Sequence, residues 1–235
     1  MIMKKMIAVM LLTATGICAR AQFYVQGGLN LANITNTSDG QTEDNNWLPT
    51  FNAGALGRFG ISDVFDIEAG LLLTGKGSKA ETYFTGSRDD NYVKSKFNPI
   101  YVELPVNAVV KFPLQANANS NIFLHAGPYV AVGVTGKSKV EQKIIGVTST
   151  STTDIQFSND DPFTSEQDDA SYSKLKRFDY GLNFGGGFDL GPVLLKLNYG
   201  LGLAKIGSTQ PNNTVDDKNK FRTFSVSVGF PLGGK

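Results

Sequence analysis

The chain is short of the residues on which disulfide scaffolds, thiol chemistry and most metal sites depend. It has one cysteine, Cys18, and one histidine, His125, among its 235 residues. Cys18 lies in an N-terminal segment that we expect to be removed on export, so the mature chain would contain no thiol. A zinc site needs several imidazole or thiolate ligands. These absences exclude disulfide-rich and thiol-dependent proteins and argue against most metal sites.

Residues 1–21 have the pattern of an export signal. Two lysines precede an apolar stretch over residues 6–17, and residues 19–21 read Ala-Arg-Ala, a cleavage site of the small-x-small type. The apolar stretch is too short to cross a membrane as a helix. We therefore expect cleavage after Ala21 and a mature chain, residues 22–235, that forms a single domain.

The chain lacks a strong excess of charge of either sign. Its 22 basic residues nearly balance its 21 acidic ones. Removal of residues 1–21 takes away three basic residues and no acidic one, which leaves 19 basic residues against 21 acidic and a net charge of −2. Binding of nucleic acid requires concentrated positive charge, so we expect no nucleic-acid partner.

Long apolar stretches are also missing. The mature chain has no uninterrupted apolar run of about 18 residues, which a transmembrane helix would need, and no sustained apolar repeat at the helical period. It is instead rich in glycine, with 26 residues, and in phenylalanine, with 16. Neither a helical membrane protein nor a helix-rich soluble domain is favoured by this composition.

Alternation of apolar and polar residues is the strongest pattern that is present. In residues 178–190 the even-numbered positions are mostly Phe, Tyr and Leu, whereas the odd-numbered positions are Asp, Asn and Gly. Successive side chains of a strand point to opposite faces, and in an exported protein lipid is the simplest neighbour for the apolar face. Seven further segments show the same period: residues 23–32, 51–61, 65–76, 98–112, 122–137, 193–204 and 224–230.

The connections between these segments alternate in length. The long ones are residues 35–50, 77–97, 138–177 and 206–220, and the short ones are residues 62–63, 113–121 and 191–192. Bacterial outer-membrane barrels have short periplasmic turns and longer extracellular loops. The sequence therefore predicts an all-β fold, an eight-stranded antiparallel up-and-down transmembrane β-barrel with four long extracellular loops and short periplasmic turns.

The inward parity of these strands predicts a charged lumen. The basic residues are Arg58, Lys76, Lys111, Lys137 and Lys196, and the acidic ones are Asp66, Glu68, Glu103, Asp179 and Asp189. The interior of an eight-stranded barrel is just wide enough to be filled by side chains, and charges buried there must be paired. We expect an ion-paired plug that leaves no continuous water column, with Arg58 and Glu103 paired near its middle.

Several motifs resemble those of a known family. They are Tyr-Val-Glu-Leu-Pro-Val at 101–106, Ala-Gly-Pro-Tyr at 126–129, Phe-Gly-Gly-Gly-Phe at 184–188, Tyr-Gly-Leu-Gly-Leu at 199–203 and Ser-Val-Ser-Val-Gly-Phe at 225–230. In this order the mature chain resembles the small outer-membrane β-barrels typical of Bacteroidetes, described as outer membrane protein β-barrel domain or porin family proteins. One departure is that residues 231–235 follow the last aromatic residue, on which such barrels usually end.

The resemblance implies a location in the bacterial outer membrane and no defined activity. We expect contact with outer-membrane lipid and lipopolysaccharide, and a monomer. No catalytic, cofactor or metal site is predicted: His125 faces the lumen rather than lipid, residues 70–77 lack the Ser or Thr of a phosphate-binding loop, and residues 159–161 lack the spacing of a calcium loop. The protein is therefore expected to be non-enzymatic.

Binding residues tend to lie on loops carried by rigid scaffolds, so the sequence favours a surface scaffold that binds through residues 138–177 and 77–97. One alternative is a small porin-like diffusion channel, which the small number of strands disfavours. Another is a secreted, lipocalin-like barrel with a ligand cavity, whose apolar parity would face inward. Alternation alone leaves this alternative open. The loop lengths and the family resemblance favour a barrel whose apolar face contacts lipid.

Overall fold

The computed structural model describes residues 21–38, 41–44, 46–84, 91–114, 120–159, 174–206 and 219–232. These residues form thirteen strands: β1 (Ala21–Ser38), β2 (Gln41–Asp44), β3 (Leu48–Gly60), β4 (Phe65–Gly75), β5 (Ser78–Tyr83), β6 (Tyr92–Pro113), β7 (Asn121–Ile144), β8 (Val147–Asp154), β9 (Gln156–Ser158), β10 (Lys174–Lys176), β11 (Phe178–Asp189), β12 (Leu194–Gly202) and β13 (Lys220–Leu232). In the same ranges, no helix has the length and apolar character to cross a membrane.

Eight of the strands close into an antiparallel barrel. Their order around the wall is β1, β3, β4, β6, β7, β11, β12 and β13, and β13 pairs again with β1. Closure pairs the backbone groups of the wall between strands and leaves no edge in contact with lipid. The predicted fold class and strand order are confirmed.

The connections between the wall strands alternate in length, as predicted. At one end, which we call the turn end, the strands are joined through residues 61–64, 114–120 and 190–193. The last of these is a tight turn in which the Asp189 carboxylate accepts the amide N–H of Gly191 at 2.9 Å. Gly191 has a φ of 89°, which glycine adopts without the steric cost that other residues incur. The long connections lie at the other end, the loop end.

The two faces of the wall differ as the alternation predicts. Apolar side chains on the outer face are exposed, for example Leu29, Leu71 and Leu124 at 71%, 58% and 56%. The inner face is polar, and Asn30 and Glu68 are fully buried there. A lipocalin-like barrel would have the reverse parity, so this alternative is wrong.

Much of two predicted loops is regular β-structure. Strand β6 begins at Tyr92 and β7 runs on to Ile144, so both extend past the barrel and are joined there by β5 and β8. We call this four-stranded extension the blade: β5, residues 92–98 of β6, residues 137–144 of β7, and β8. The sequence suggested loops here because Ser, Thr and Lys dominate, and a sheet exposed on both faces has no apolar side to reveal its period.

A β-bulge corrects the predicted position of Lys137. Tyr101 of β6 lies opposite Gly133 of β7, but the residue before Tyr101 lies opposite Thr135, so Val134 is an extra residue. One extra residue moves every later side chain of the strand to the other face. Lys137 is therefore exposed on the outer side of the blade, whereas uninterrupted alternation placed it in the lumen.

Candidate functional site

The lumen near the turn end is built around Glu68, which is fully buried. Its carboxylate accepts hydrogen bonds from the Arg58 Nε at 2.9 Å, the Tyr24 hydroxyl at 2.6 Å and the Asn107 amide at 3.1 Å. The ammonium group of Lys196 also donates to it. Strands β1, β3, β4, β6 and β12 each supply one member, so this cluster joins distant parts of the wall.

Besides its bond to Glu68, Arg58 contacts two aromatic rings and a second carboxylate. Its guanidinium lies 4.0 Å from the centre of the Phe123 ring and 5.6 Å from that of Tyr24. The distance from its Nη1 to the Asp189 Oδ2 is 4.0 Å. A weakly hydrated, planar cation suits such stacking between rings. The turn end is closed by these side chains and by a partly exposed pair, Lys111 and Asp66, with 2.7 Å between Nζ and Oδ1.

A second cluster, nearer the loop end, is centred on Lys76. Its Nζ lies 2.7 Å from the Asp179 Oδ2 and 3.0 Å from the Glu103 Oε2. The Tyr129 hydroxyl donates to the same Asp179 oxygen at 3.1 Å, and the Asn183 amide donates to Glu103 at 3.1 Å. In this cluster one ammonium group lies between two carboxylates, whereas the Glu68 cluster has two cations, Arg58 and Lys196, and the carboxylates of Glu68 and the more distant Asp189.

The predicted pair of Arg58 and Glu103 is wrong. Arg58 binds Glu68 of the next strand, and Glu103 binds Lys76. Parity placed all these residues in the lumen correctly, but their depth depends on the stagger between strands. The register puts Arg58 directly opposite Glu68, and a two-residue period does not contain that information.

A polar cavity of about 40 Å³ lies between the two clusters. Lys76 and Glu103 border it on one side and Lys196 and Asn107 on the other. Since a buried water occupies roughly 10–15 Å³ on this measure, the space holds about three waters. The cavity is therefore a small polar pocket rather than a channel.

The loop end is capped by side chains from the long connections. Phe157 of β9 stacks edge-on against Tyr101 of the wall, with 5.7 Å between ring centres, and Tyr101 in turn packs on Phe221. Ile206 lies in the same apolar cluster. The cap is fixed to the wall because the amide N–H of Gly133 donates to the backbone carbonyl of Arg177 at 2.7 Å.

Lys176 is the buried basic residue that sequence reasoning missed. It lies in β10, within the cap, and is 2% exposed. Its segment showed no alternation because β10 has only three residues. The charged side chains that face the lumen or are buried in its cap include the basic residues Arg58, Lys76, Lys111, Lys176 and Lys196 and the acidic residues Asp66, Glu68, Glu103, Asp179 and Asp189. Lys176 is thus buried in the cap, whereas Lys137, which the sequence placed in the lumen, is exposed.

The glycine-rich strand β11 makes room for rings from β7. Gly185 lies opposite His125 and Gly187 opposite Phe123. A Cβ atom at Gly185 would lie 2.9 Å from the His125 Nε2, and one at Gly187 would lie 2.7 Å from the Phe123 ring. The glycines of the motif at 184–188 therefore allow bulky inward side chains on the neighbouring strand to lean across the wall.

His125 faces the lumen, as its parity predicted, and is 3% exposed. Its Nε2 lies 3.4 Å from the backbone carbonyl of Leu197, and its ring lies 6.2 Å from that of Phe123. Within the described ranges no group of three or more His, Cys, Asp or Glu side chains has an arrangement that could hold a metal ion. Asp160 and Asp161, in the segment that lacks the spacing of a calcium loop, lie outside the described residues.

Comparisons with known proteins agree with this architecture. The family model named outer membrane protein beta-barrel domain matches residues 13–208. Among curated proteins no match was found.

Three solved structures are among those similar to this chain. They are Ail, the attachment invasion locus protein of Yersinia pestis (12% identity, 90% of this chain and 99% of that chain, TM-score 0.38); Neisserial surface protein A (14%, 90% and 99%, 0.36); and the outer membrane protein OprG from Pseudomonas aeruginosa (12%, 91% and 97%, 0.36). Since the family model covers more than half of the chain, the protein belongs to the outer membrane protein β-barrel domain family and is located in the bacterial outer membrane.

Proposed function

We propose that the protein is a closed, non-enzymatic scaffold that displays the blade and the long connections at the cell surface for binding. The observation that carries this proposal is the contrast between the two halves of the molecule. The lumen is filled by paired charges, whereas the blade exposes both of its faces.

The filled lumen supports a scaffold rather than a channel. The Glu68 and Lys76 clusters each join several strands, and the apolar cap lies above them. A diffusion channel would need a continuous water column, and the cavity between the clusters has room for only about three waters. Ion pairs and hydrogen bonds between these side chains join strands across the lumen and stabilise the wall.

The blade supports a role in binding. Strand β7 has 24 residues, and those past the bulge extend the wall by roughly 3.3 Å each. Eight of them, residues 137–144, reach about 26 Å along the strand direction. Extended strands joined by backbone hydrogen bonds present side chains more rigidly than irregular loops do, which lowers the entropy cost of binding.

The surroundings of the histidine support a non-enzymatic role. A serine hydrolase needs the histidine within hydrogen-bonding reach of its nucleophile, at a place that the substrate can enter. The hydrogen-bonding contact of His125 within the described chain is a backbone carbonyl, and Arg58 and Lys196 lie in the same closed part of the lumen.

Single-cysteine labelling tests the display of the blade. After cleavage at Ala21 the chain would contain no cysteine, so Thr150→Cys in β8 and Ser62→Cys at the turn end each introduce a unique thiol. We expect a membrane-impermeant maleimide added to intact cells to label Thr150→Cys and to label Ser62→Cys only after lysis. Labelling of Ser62→Cys alone on intact cells would contradict the proposed orientation.

A further inference from the structure

The two faces of the blade differ sharply in charge. Residues directly opposite each other in an antiparallel sheet share a face, and the register assigns every charged side chain of the blade to one of them. This charged face contains Lys79, Glu81, Lys94, Lys96, Lys137, Lys139, Glu141, Lys143 and Asp154, together with Tyr83 and Tyr92. The other face contains Ser, Thr, Ala, Val, Gln and Ile with Phe97.

The charged face is basic, although the mature chain as a whole is slightly acidic. It has six lysines and three carboxylates, a net charge of +3. The Tyr83 hydroxyl donates to Glu81 at 2.8 Å and the Tyr92 hydroxyl donates to Glu141 at 3.0 Å. These hydrogen bonds hold the pKa of each glutamate below its usual value. The two glutamates therefore remain charged, and the lysines still outnumber the carboxylates.

Three lysines form a row across the face. Lys79, Lys96 and Lys139 lie directly opposite one another on β5, β6 and β7. Like charges in opposite positions destabilise a sheet, and the glutamates relieve this only at the two ends, where Glu81 lies 3.5 Å from Lys79 and Glu141 lies 3.5 Å from Lys139. Lys96 lies between two other lysines. An anion placed over this row would turn an unfavourable arrangement into a favourable one.

The position of the face indicates which anion is within reach. In β6 the even-numbered residues face outward, so the charged face continues the lipid-facing surface of Ile100 and Val102. Lys96 lies four residues above Ile100, about 13 Å along the strand and less in height because barrel strands are tilted. The outward residues from Ile100 to Phe112 are all apolar, so we place the edge of the hydrocarbon core near Ile100 and Lys96 among the polar headgroups beyond it. The face looks sideways across the membrane surface rather than away from the cell.

We propose that the charged face of the blade binds the phosphate groups of glycolipids in the outer leaflet, with Lys79, Lys96 and Lys139 as the central contacts. The inference rests on the proposed function only in requiring that the blade lie outside the cell. Tyr83 and Tyr92, whose rings are 6.4 Å apart, lie on the same face but farther from the barrel, beyond Glu81 and Lys94.

Native mass spectrometry of the full mature chain in detergent tests this inference. The protein is titrated with bis-phosphorylated lipid A and, separately, with the same lipid after removal of its phosphates. We expect at least about tenfold tighter binding of the phosphorylated lipid, because each lysine near a charged surface contributes on the order of 1 kcal/mol. Equal binding of the two lipids would overturn the proposal.

Matched variants assign the effect to the row. Lys79→Gln, Lys96→Gln and Lys139→Gln together should weaken binding of phosphorylated lipid A by about tenfold or more, whereas the corresponding triple change to Arg should retain it. The double variant Lys205→Gln and Lys220→Gln lowers the net charge elsewhere and should bind as the unchanged chain does. Retained binding by the triple Gln variant would refute the assignment.

A soluble polyanion provides the competing outcome. If inorganic polyphosphate binds through the same three lysines while phosphorylated lipid A does not, the face serves a soluble partner and the lipid proposal is wrong. Cysteine labelling at Thr150 reports the orientation of the blade separately, so failure of the lipid proposal is distinguishable from failure of the proposed surface display.

Discussion

Charged side chains in the lumen matter for stability mainly because the loss of one would leave its partner as an unpaired buried charge. Glu68 is fully buried and accepts hydrogen bonds from two cations, Arg58 and Lys196. Removal of one member of a buried ion pair leaves the other charge without compensation, which costs far more than the net stabilisation the pair provides. The free energy of such a cluster therefore appears mainly when one member is missing.

We expect Glu68→Gln to destabilise the barrel by about 3–5 kcal/mol, because Arg58 and Lys196 would lose their shared counter-ion. The matched control is Asp66→Asn, since the Lys111 ammonium that binds Asp66 is 20% exposed and water can solvate it. That change should cost about 1 kcal/mol or less. Urea unfolding of both variants in detergent micelles measures the difference, and equal costs would contradict the assigned role of Glu68.

Ile145 has a positive φ, a backbone conformation that β-branched residues rarely adopt. It lies with Gly146 at the tip of the blade hairpin and has a φ of 49°. Two residues of positive φ between paired strands form the turn for which Asn-Gly is the preferred sequence, and a β-branched residue there is strained. The side chain is 87% exposed, so its packing does not offset this cost.

We expect Ile145→Asn to stabilise the blade hairpin by about 1 kcal/mol, since Asn tolerates the left-handed conformation. Amide hydrogen exchange in β8 should slow by about fivefold. Ile145→Val is the control, because Val is also β-branched and should give no such gain. Unchanged exchange in the Asn variant would show that the turn carries no strain.

At the scale of the element, the sequence predicts which face of each strand is apolar but not how neighbouring strands are staggered. The parity of the eight wall strands was predictable up to the bulge in β7, because contact with lipid on one side and a polar lumen on the other imposes a period of two. The pairing of Arg58 with Glu68 was not, since stagger depends on contacts between strands. Lys137 was misplaced because a bulge at Val134 has no signature in a Val-Thr-Gly sequence.

The blade was missed for a related reason. The segment at 148–153 consists of Thr and Ser, which is typical of a loop by composition. It forms most of β8, with both faces exposed. Hydrogen bonds to β7 hold it in place, so its order depends on a neighbour rather than on its own hydrophobic pattern. A strand that is exposed on both faces cannot be predicted from an alternation of buried and exposed residues.

The lipid-facing assignment of β12 predicts a depth-dependent cost. Leu197 lies near the middle of this strand, points outward and is 50% exposed. We expect Leu197→Arg to destabilise the barrel in lipid bilayers by about 2–4 kcal/mol, because the charge would lie in the hydrocarbon. Thr150→Arg places the same side chain on the blade, outside the membrane, and should cost little. If both changes cost the same, β12 does not face lipid at that depth.

At the scale of the whole molecule, two regions with opposite properties share one continuous sheet. Within the membrane the wall closes on itself, hides its charges and is apolar outside. Beyond the membrane β6 and β7 continue out of the wall, gain β5 and β8 as neighbours, and expose their charges. The bulge at Val134 lies where the two regions meet and keeps the lysines of β7 on the outer face. The fold thus joins a polar four-stranded extension to a barrel whose outer face is apolar.

Single-channel recording in planar lipid bilayers tests the sealed lumen most directly. In the described part of the barrel the Glu68 and Lys76 clusters occupy the lumen on either side of a cavity of about 40 Å³, and the apolar cap lies above them. We predict that the reconstituted mature chain gives no large, steady conductance steps. A reproducible open pore of nanosiemens scale would contradict the closed lumen and would identify the protein as a diffusion channel.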